Sequence, residues 1–304
     1  SHLTTDQLAE AKSAVRMLPV GSVLHVQVNL FRLFVTELLP LLRTKVILLT
    51  GQWLKPALEL LAPGRTKLPD SHQNRLGFVT SGDVEATLRS DRIVRWYSQN
   101  MFAVPKTYQD KYRGLPYGID YTKAEQYRKC LRDFGNVPKK DTLFLSPLRN
   151  TSKVREVLLN LSEYRNAMRA FTGKNGARRI ENYSYYCERL ARARFVISPE
   201  GDRPDCFRHW EAVGLGVVPV CNCPETLRPL LGHGADMVYA SEAEYEDYVR
   251  FPLLLAWRFR EARPQREKVF VDFWRKRVDE DRRSLWAREQ SVRTGRVGQV
   301  TRAP

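Results

Sequence analysis

Residues 195–220, FVISPEGDRPDCFRHWEAVGLGVVPV, decide the fold of this chain. Phe195–Ser198 and Val217–Val220 are short apolar runs bounded by turn residues, the pattern of parallel strands covered on both faces. Between them Asp205 is placed to cap a helix that runs from about Cys206 to Gly214 or Gly216. Arg208 falls in the first turn and Glu211 follows it by three residues, so the two share a helix face. A helix N-terminus carries unpaired N–H groups and positive dipole character, and an arginine there strengthens its attraction for phosphate. A carboxylate one turn deeper can accept hydrogen bonds from two sugar hydroxyls. The constellation suits a nucleoside diphosphate, with Arg208 on the diphosphate and Glu211 on the ribose. Its plainer reading is an ordinary strand–helix–strand unit carrying an Arg–Glu surface salt bridge.

The same residues resemble the nucleotide-sugar signature of exostosin-type glycosyltransferases: S-P-x-G, a few residues, D-[SC]-[FY]-R-x-[WY]-E-A, then a glycine and a strand ending in P-V. The chain supplies Ser198, Pro199, Gly201, Asp205, Cys206, Phe207, Arg208, Trp210, Glu211, Ala212, Gly216, Pro219 and Val220. A related pattern occurs in ribitol-xylosyltransferases. The resemblance implies an α/β protein of the GT-B fold, with two Rossmann-like domains whose parallel sheets face a central cleft and a C-terminal helix that crosses back to the first domain. It implies a UDP-sugar-dependent hexosyl- or pentosyltransferase. Glu200 departs from the pattern, since many exostosins carry a basic residue there, and this leaves the donor sugar open.

With 304 residues, 43% hydrophobic and 28% charged, the chain has the composition of a soluble globular protein with room for two domains. The longest apolar candidate, 31–49, is interrupted by Arg32, Glu37, Pro40, Arg43 and Lys45, so it is not a membrane span. The chain starts at Ser1, and a membrane anchor is expected upstream of it, with the Golgi lumen of the secretory pathway as the expected location. Sequons at Asn150, Asn160 and Asn182 permit such a route. Net charge is +16, and of the 50 basic residues 14 are lysine, leaving 36 arginines. That balance favours polyanions, including an acidic glycan, although acids such as Asp279, Glu280 and Asp281 interleave with Arg282 and Arg283. No zinc-finger or RNA-binding signature accompanies the charge, which disfavours nucleic acid as a partner. The five cysteines allow at most one or two bridges, and Cys221 and Cys223 are too few and too closely spaced to read as a zinc site. Buried thiols are expected.

Strands expected at 23–28, 46–50, 76–79 and 93–97 alternate with helices at 4–17, 30–42, 52–61 and 84–90, the rhythm of a parallel α/β sheet. A polar loop is expected at 65–75. The turn Pro116–Asp120 is similar to the P-x-G-[IV]-[DE] handover of two-domain transferases, within a linker at about 115–140. Then come a strand at 142–146, helices at 153–161 and 184–193, and elements at 224–231 and 243–249. The domains expected are 1–120 for the acceptor and 121–262 for the nucleotide-sugar, followed by a crossover helix within 263–290 and a basic tail at 291–304. The crossover helix, 264–289, shows an apolar stripe of Val269, Phe270, Phe273, Trp274 and Val278.

The implied chemistry is substitution at the anomeric carbon with diphosphate as leaving group. In the exostosin-like pattern Arg149 and Arg155 face the donor phosphates together with Arg208 and Ser198. No Asp-x-Asp motif is placed to hold a catalytic metal, so neither metal nor other cofactor is expected beyond the donor. An inverting reaction needs a general base, and the candidates are Asp83 first, then His25 and Asp120; Gln99 and Asn100 could bind acceptor hydroxyls. His25, inside an apolar strand, is otherwise a core residue, and Gln99 with Asn100 is otherwise a turn. Two other classes compete. One is a degenerate transferase fold that binds nucleic acid or acidic polysaccharide through its basic surface. The other is a sugar-nucleotide epimerase or kinase, against which the absence of G-x-G-x-x-G and of a P-loop counts.

Overall fold

Parallel strands need long connections between them, usually helical. In the computed structural model, which describes residues 3–27, 30–51, 79–99, 104–169, 182–201, 205–223 and 230–293, the strands form two four-stranded, all-parallel sheets. The order in the first is β1 (Val23–Gln27), β2 (Val46–Gly51), β3 (Ile93–Ser98) and β4 (Tyr112–Gly114). The second follows as β5 (Asp141–Leu145), β6 (Ala193–Ile197), β7 (Val218–Cys221) and β8 (Val238–Tyr239). In both sheets spatial order equals chain order, so there is no strand reversal among the described residues.

The chain up to Leu115 and from Trp274 onward makes one compact unit, and Pro116–Phe273 makes the other. The first unit is built around β2, whose Val46, Ile47 and Leu48 are wholly buried, with Trp96 of β3 stacked on Phe31 at 5.2 Å. Two of its helices carry reciprocal caps: α1 (Thr5–Arg16) through Thr4 and Gln7, and α2 (Ser81–Arg89) through Thr80 and Asp83. The helix expected over 30–42 is broken into short pieces, because Pro40 has no N–H to give a regular last turn. Strand β1, expected to be buried, is bonded to β2 alone among the described strands, and Val23, His25 and Gln27 are exposed. The helix and loop expected at 52–75 lie outside the described residues, as does most of the strand expected at 76–79.

In the second unit the sheet is covered on both faces. Phe195 and Ile197 join one cluster with Val218, Val220 and Tyr245, while Val196 joins another with Phe144, Tyr186 and Leu190. The expected linker at 115–140 contains helix α3 (Ala124–Phe134), whose Tyr127 and Cys130 are buried. Helices α4 (Lys153–Asn160), α5 (Ser162–Arg169), α6 (Tyr183–Arg192), α7 (Phe207–Gly214), α8 (Glu242–Arg250) and α9 (Pro252–Arg258) follow. Cys130 is bonded to Cys187 and Cys221 to Cys223, while Cys206 is a free thiol.

The last helix, α10 (Val271–Arg293), starts later than expected, because the backbone of Phe270 is extended and Phe270 itself is half-exposed. Its buried stripe is Trp274 and Leu285 rather than the broader one expected. From Trp274 it belongs to the first unit, where Asp281 accepts from Arg95 Nε (3.2 Å) and Tyr97 Oη (2.7 Å) and Glu289 pairs with Lys45 (2.7 Å). No helix among the described residues is long and apolar enough to cross a membrane.

At the end of α7, a side chain on Gly214 would overlap the Tyr127 hydroxyl, which donates to Glu211 O at 2.8 Å. Gly214→Ala is expected to cost about 1–3 kcal/mol in urea unfolding, and Tyr127→Phe, which removes the obstructing hydroxyl, to recover part of that loss.

Candidate functional site

At the carboxyl ends of β5, β6 and β7 the chain loops are tied to one another. After β6, Ser198 N–H donates to Val220 O (2.8 Å), and Asn222 clasps Glu200 by accepting from its N–H (3.0 Å) and donating to its Oε1 (3.1 Å). From the start of α4, Ser152 Oγ donates to Glu200 O (3.2 Å). Arg155, buried in the first turn of α4, donates to Pro199 O and to Thr151 Oγ1, both at 3.0 Å. A Cβ on Gly201 would lie 2.8 Å from the Arg155 guanidinium, so the glycine of S-P-x-G makes room for this arginine.

The cap of helix α7 is Cys206, not Asp205 as expected. The Asp205 carboxylate is used elsewhere: Oδ1 accepts from Trp210 Nε1 (2.6 Å) and Oδ2 from Tyr117 N–H (2.6 Å). His209, fully buried, places Nε2 2.8 Å from Ser198 O, which requires a hydrogen on Nε2. Its Nδ1 faces Cys206 N–H (3.2 Å) and Asp205 Oδ1 (3.6 Å). Burial pushes the Cys206 thiol up, but the His209 ring beside it outweighs this and draws it down to about 6. Burial lowers His209, and the thiol and Asp205 outweigh that in turn, raising it.

Arg208, in the first turn of α7, donates from Nη2 to Pro147 O at 2.5 Å. Its Nε is buried with no hydrogen-bond partner among the described residues, and the same holds for Ser198 Oγ. Glu211, 7% exposed, does not pair with Arg208 at the surface. Its Oε1 accepts from Tyr183 Oη (2.6 Å) and its Oε2 from Tyr186 Oη (2.9 Å), both phenols coming from α6. Burial and the adjacent carboxylate raise both phenols well above their usual range, so they remain donors. The Tyr117 ring stacks on Phe207 with centroids 4.4 Å apart, next to the same helix start. Arg149 is exposed on the loop after β5.

The structure thus brings Arg155, Ser198, Arg208 and Glu211 to one end of one sheet. Tyr183, Tyr186, Tyr117 and His209 belong to the same arrangement and were not singled out by the sequence. Only Tyr183 and Tyr186 left a signal, as aromatic residues on one face of the helix ahead of the signature strand.

Of the candidate bases, Asp83 and His25 belong to the first unit and Asp120 to the second. Asp83, expected first, is occupied by helix capping: its Oδ2 accepts from Thr80 N–H at 2.9 Å. Asp120 caps a short turn, its Oδ1 accepting from Thr122 N–H (3.0 Å) and Oγ1 (2.8 Å). His25 is exposed on β1, so it is not the core residue it could have been. Its side chain and that of Gln99 both border Gly51, at the carboxyl end of β2: a Cβ there would lie 3.5 Å from His25 Nε2 and 3.3 Å from Gln99 Oε1. Asn100 lies outside the described residues. The Asp-x-Asp in Asp279–Asp281 sits in α10, where Asp281 is bonded to Arg95 and Tyr97.

No family model matches the chain, and no curated protein matches it.

Removing the Tyr186 hydroxyl would leave a buried carboxylate with one donor fewer. Tyr186→Phe is expected to lower unfolding free energy by about 1.5–3 kcal/mol, measured by urea denaturation.

Proposed function

We propose that the chain is a GT-B glycosyltransferase of the exostosin type, transferring a sugar from a UDP-sugar to a glycan or glycoprotein acceptor with inversion. The observation that carries this reading is a pair of buried polar groups without a partner among the described residues, Arg208 Nε in the first turn of α7 and Ser198 Oγ after β6. Buried polar groups in native proteins nearly always have partners, and a bound diphosphate would supply them. Arg208 then meets the charge that develops on the leaving diphosphate, assisted by the N–H groups of the helix start. Arg149, exposed on the neighbouring loop, is free of the packing that holds Arg155 and can approach the terminal phosphate. Glu211 uses two of about four acceptor positions on its tyrosines, which leaves capacity for ribose hydroxyls. The leaving group needs no metal in this scheme, since its charge is met by protein cations. His25 is the preferred base, with Gln99, which borders Gly51 as His25 does, to hold an acceptor hydroxyl.

UDP is expected to raise the melting temperature of the protein, and Arg208→Ala to abolish the shift while the variant stays folded. Absence of a UDP effect in the intact protein overturns the reading. A salt-sensitive affinity for polyanions without any UDP effect would instead favour the binding module suggested by the net charge of +16.

With a UDP-sugar that the protein turns over, His25→Ala is expected to lower kcat by about 100-fold or more and to leave the UDP-induced melting shift intact. An unchanged kcat removes His25 from the mechanism.

A further inference from the structure

Three side chains with metal-ligand chemistry converge behind the start of α7. His209 and Cys221 are fully buried and Cys223 is 7% exposed, and the ligand atoms of these three lie within 4.8 Å of one another. Cys206 is outside this group but places its Sγ 3.5 Å from His209 Nε2, and Cys223 Sγ lies 3.7 Å from the same nitrogen. We propose that, once the Cys221–Cys223 bond is reduced, His209, Cys221 and Cys223 bind a soft divalent cation of the zinc class, with Cys206 as fourth ligand.

Metal–sulfur bonds of about 2.3 Å and metal–nitrogen bonds of about 2.0–2.1 Å set the nitrogen–sulfur edge of a tetrahedron at about 3.6 Å. The two distances from His209 Nε2 bracket that edge. Three thiols and an imidazole select zinc-like ions over magnesium or calcium, which prefer oxygen. A second shell is also in place. Asp205 Oδ1 faces His209 Nδ1 at 3.6 Å, and Asp205 is itself fixed by Trp210 and Tyr117. A carboxylate behind the ring of a metal-binding histidine fixes the tautomer and orientation that ligation needs.

A disulfide between residues 221 and 223 closes too short a loop to restrain the chain appreciably. A cation would instead tie the cap of α7 to the end of β7, across the segment from 206 to 223, and hold the turn that carries Arg208. The chemistry balances. A thiol reductant gives two electrons and two protons to the sulfurs and leaves as its own disulfide. The cation then displaces the thiol protons to solvent, while the ring hydrogen of His209 moves from Nε2 to Nδ1, the nitrogen that faces Asp205, and Nε2 gives up its contact with Ser198 O. These atoms are not the ones proposed to meet the diphosphate, so this inference stands apart from the nucleotide reading.

The test is cobalt(II) titration of the whole chain after thiol reduction, followed by zinc. One cobalt per chain is expected, with thiolate-to-cobalt charge-transfer absorption and the intense visible bands of a tetrahedral ion. Zinc should bleach the spectrum and raise the melting temperature. Cys223→Ser is expected to weaken cobalt binding by tenfold or more, and Cys206→Ser to lose the tetrahedral spectrum. No thiolate absorption in the reduced wild type overturns the proposal, as does a spectrum undiminished in Cys223→Ser or a disulfide that resists reduction in the native protein. A tetrahedral spectrum that survives in Cys206→Ser overturns the assignment of the fourth ligand. If the Cys223 variant fails to fold, the wild-type spectrum decides. The UDP melting shift, read on metal-free samples, tests the nucleotide site separately.

Discussion

A helix buried along nearly its whole length cannot leave its end groups to water, and α7 is such a helix, with every residue from His209 to Gly214 buried. Its surroundings answer that constraint at each turn. At the start, His209 reaches Ser198 O, while Asp205 holds the Trp210 indole and the Tyr117 backbone. In the middle, two phenols from α6 hold Glu211. At the end, Lys139 Nζ donates to Leu215 O at 2.8 Å and to Ala191 O at 2.7 Å, closing α7 and α6 together. The loops at the carboxyl ends of β5 to β7 are then fixed by what this helix has already set.

Those satisfied groups give the unsatisfied ones their meaning. A buried guanidinium nitrogen or hydroxyl without a partner costs free energy, and relaxation normally removes it. Arg208 Nε and Ser198 Oγ persist between neighbours that are themselves held in place. Preorganised donors of this kind need little rearrangement when an anion arrives. Gly201 serves the same end, since its missing side chain is what lets Arg155 lie against the loop.

The sequence made some of this legible because the deciding information was local. The apolar runs around 195–197 and 218–221 and the cap-to-glycine span between them are all set by near neighbours. Partners brought from far along the chain were not legible: Glu211 meets tyrosines 28 and 25 residues away, and spacing says nothing about that pairing. The exposure of His25 goes with the place of β1 at one end of the order of described strands, a property of the sheet and not of the strand. Strands β4 and β8 are too short for a periodic signal and exist through their pairing with β3 and β7. The Asp83 cap was readable in Thr80-x-x-Asp83, where a helix start competed with a catalytic reading and prevailed. The cysteine cluster escaped because Cys221 and Cys223, unremarkable alone, join His209 in one group only when β7 returns beside α7.

The path of α10 has a consequence for how the protein is made. The unit from Pro116 to Phe273 is one uninterrupted stretch of chain, whereas the other closes only when residues from Trp274 onward supply Asp281 and Glu289. On the ribosome the later unit can therefore finish folding while the earlier one still waits for its last helix. The chain order of the two units permits the reverse of the usual N-terminal-first order of domain folding. Until that helix emerges, Arg95 and Tyr97 lack the carboxylate that joins them, and the half-built sheet is the part of the nascent chain most exposed to aggregation.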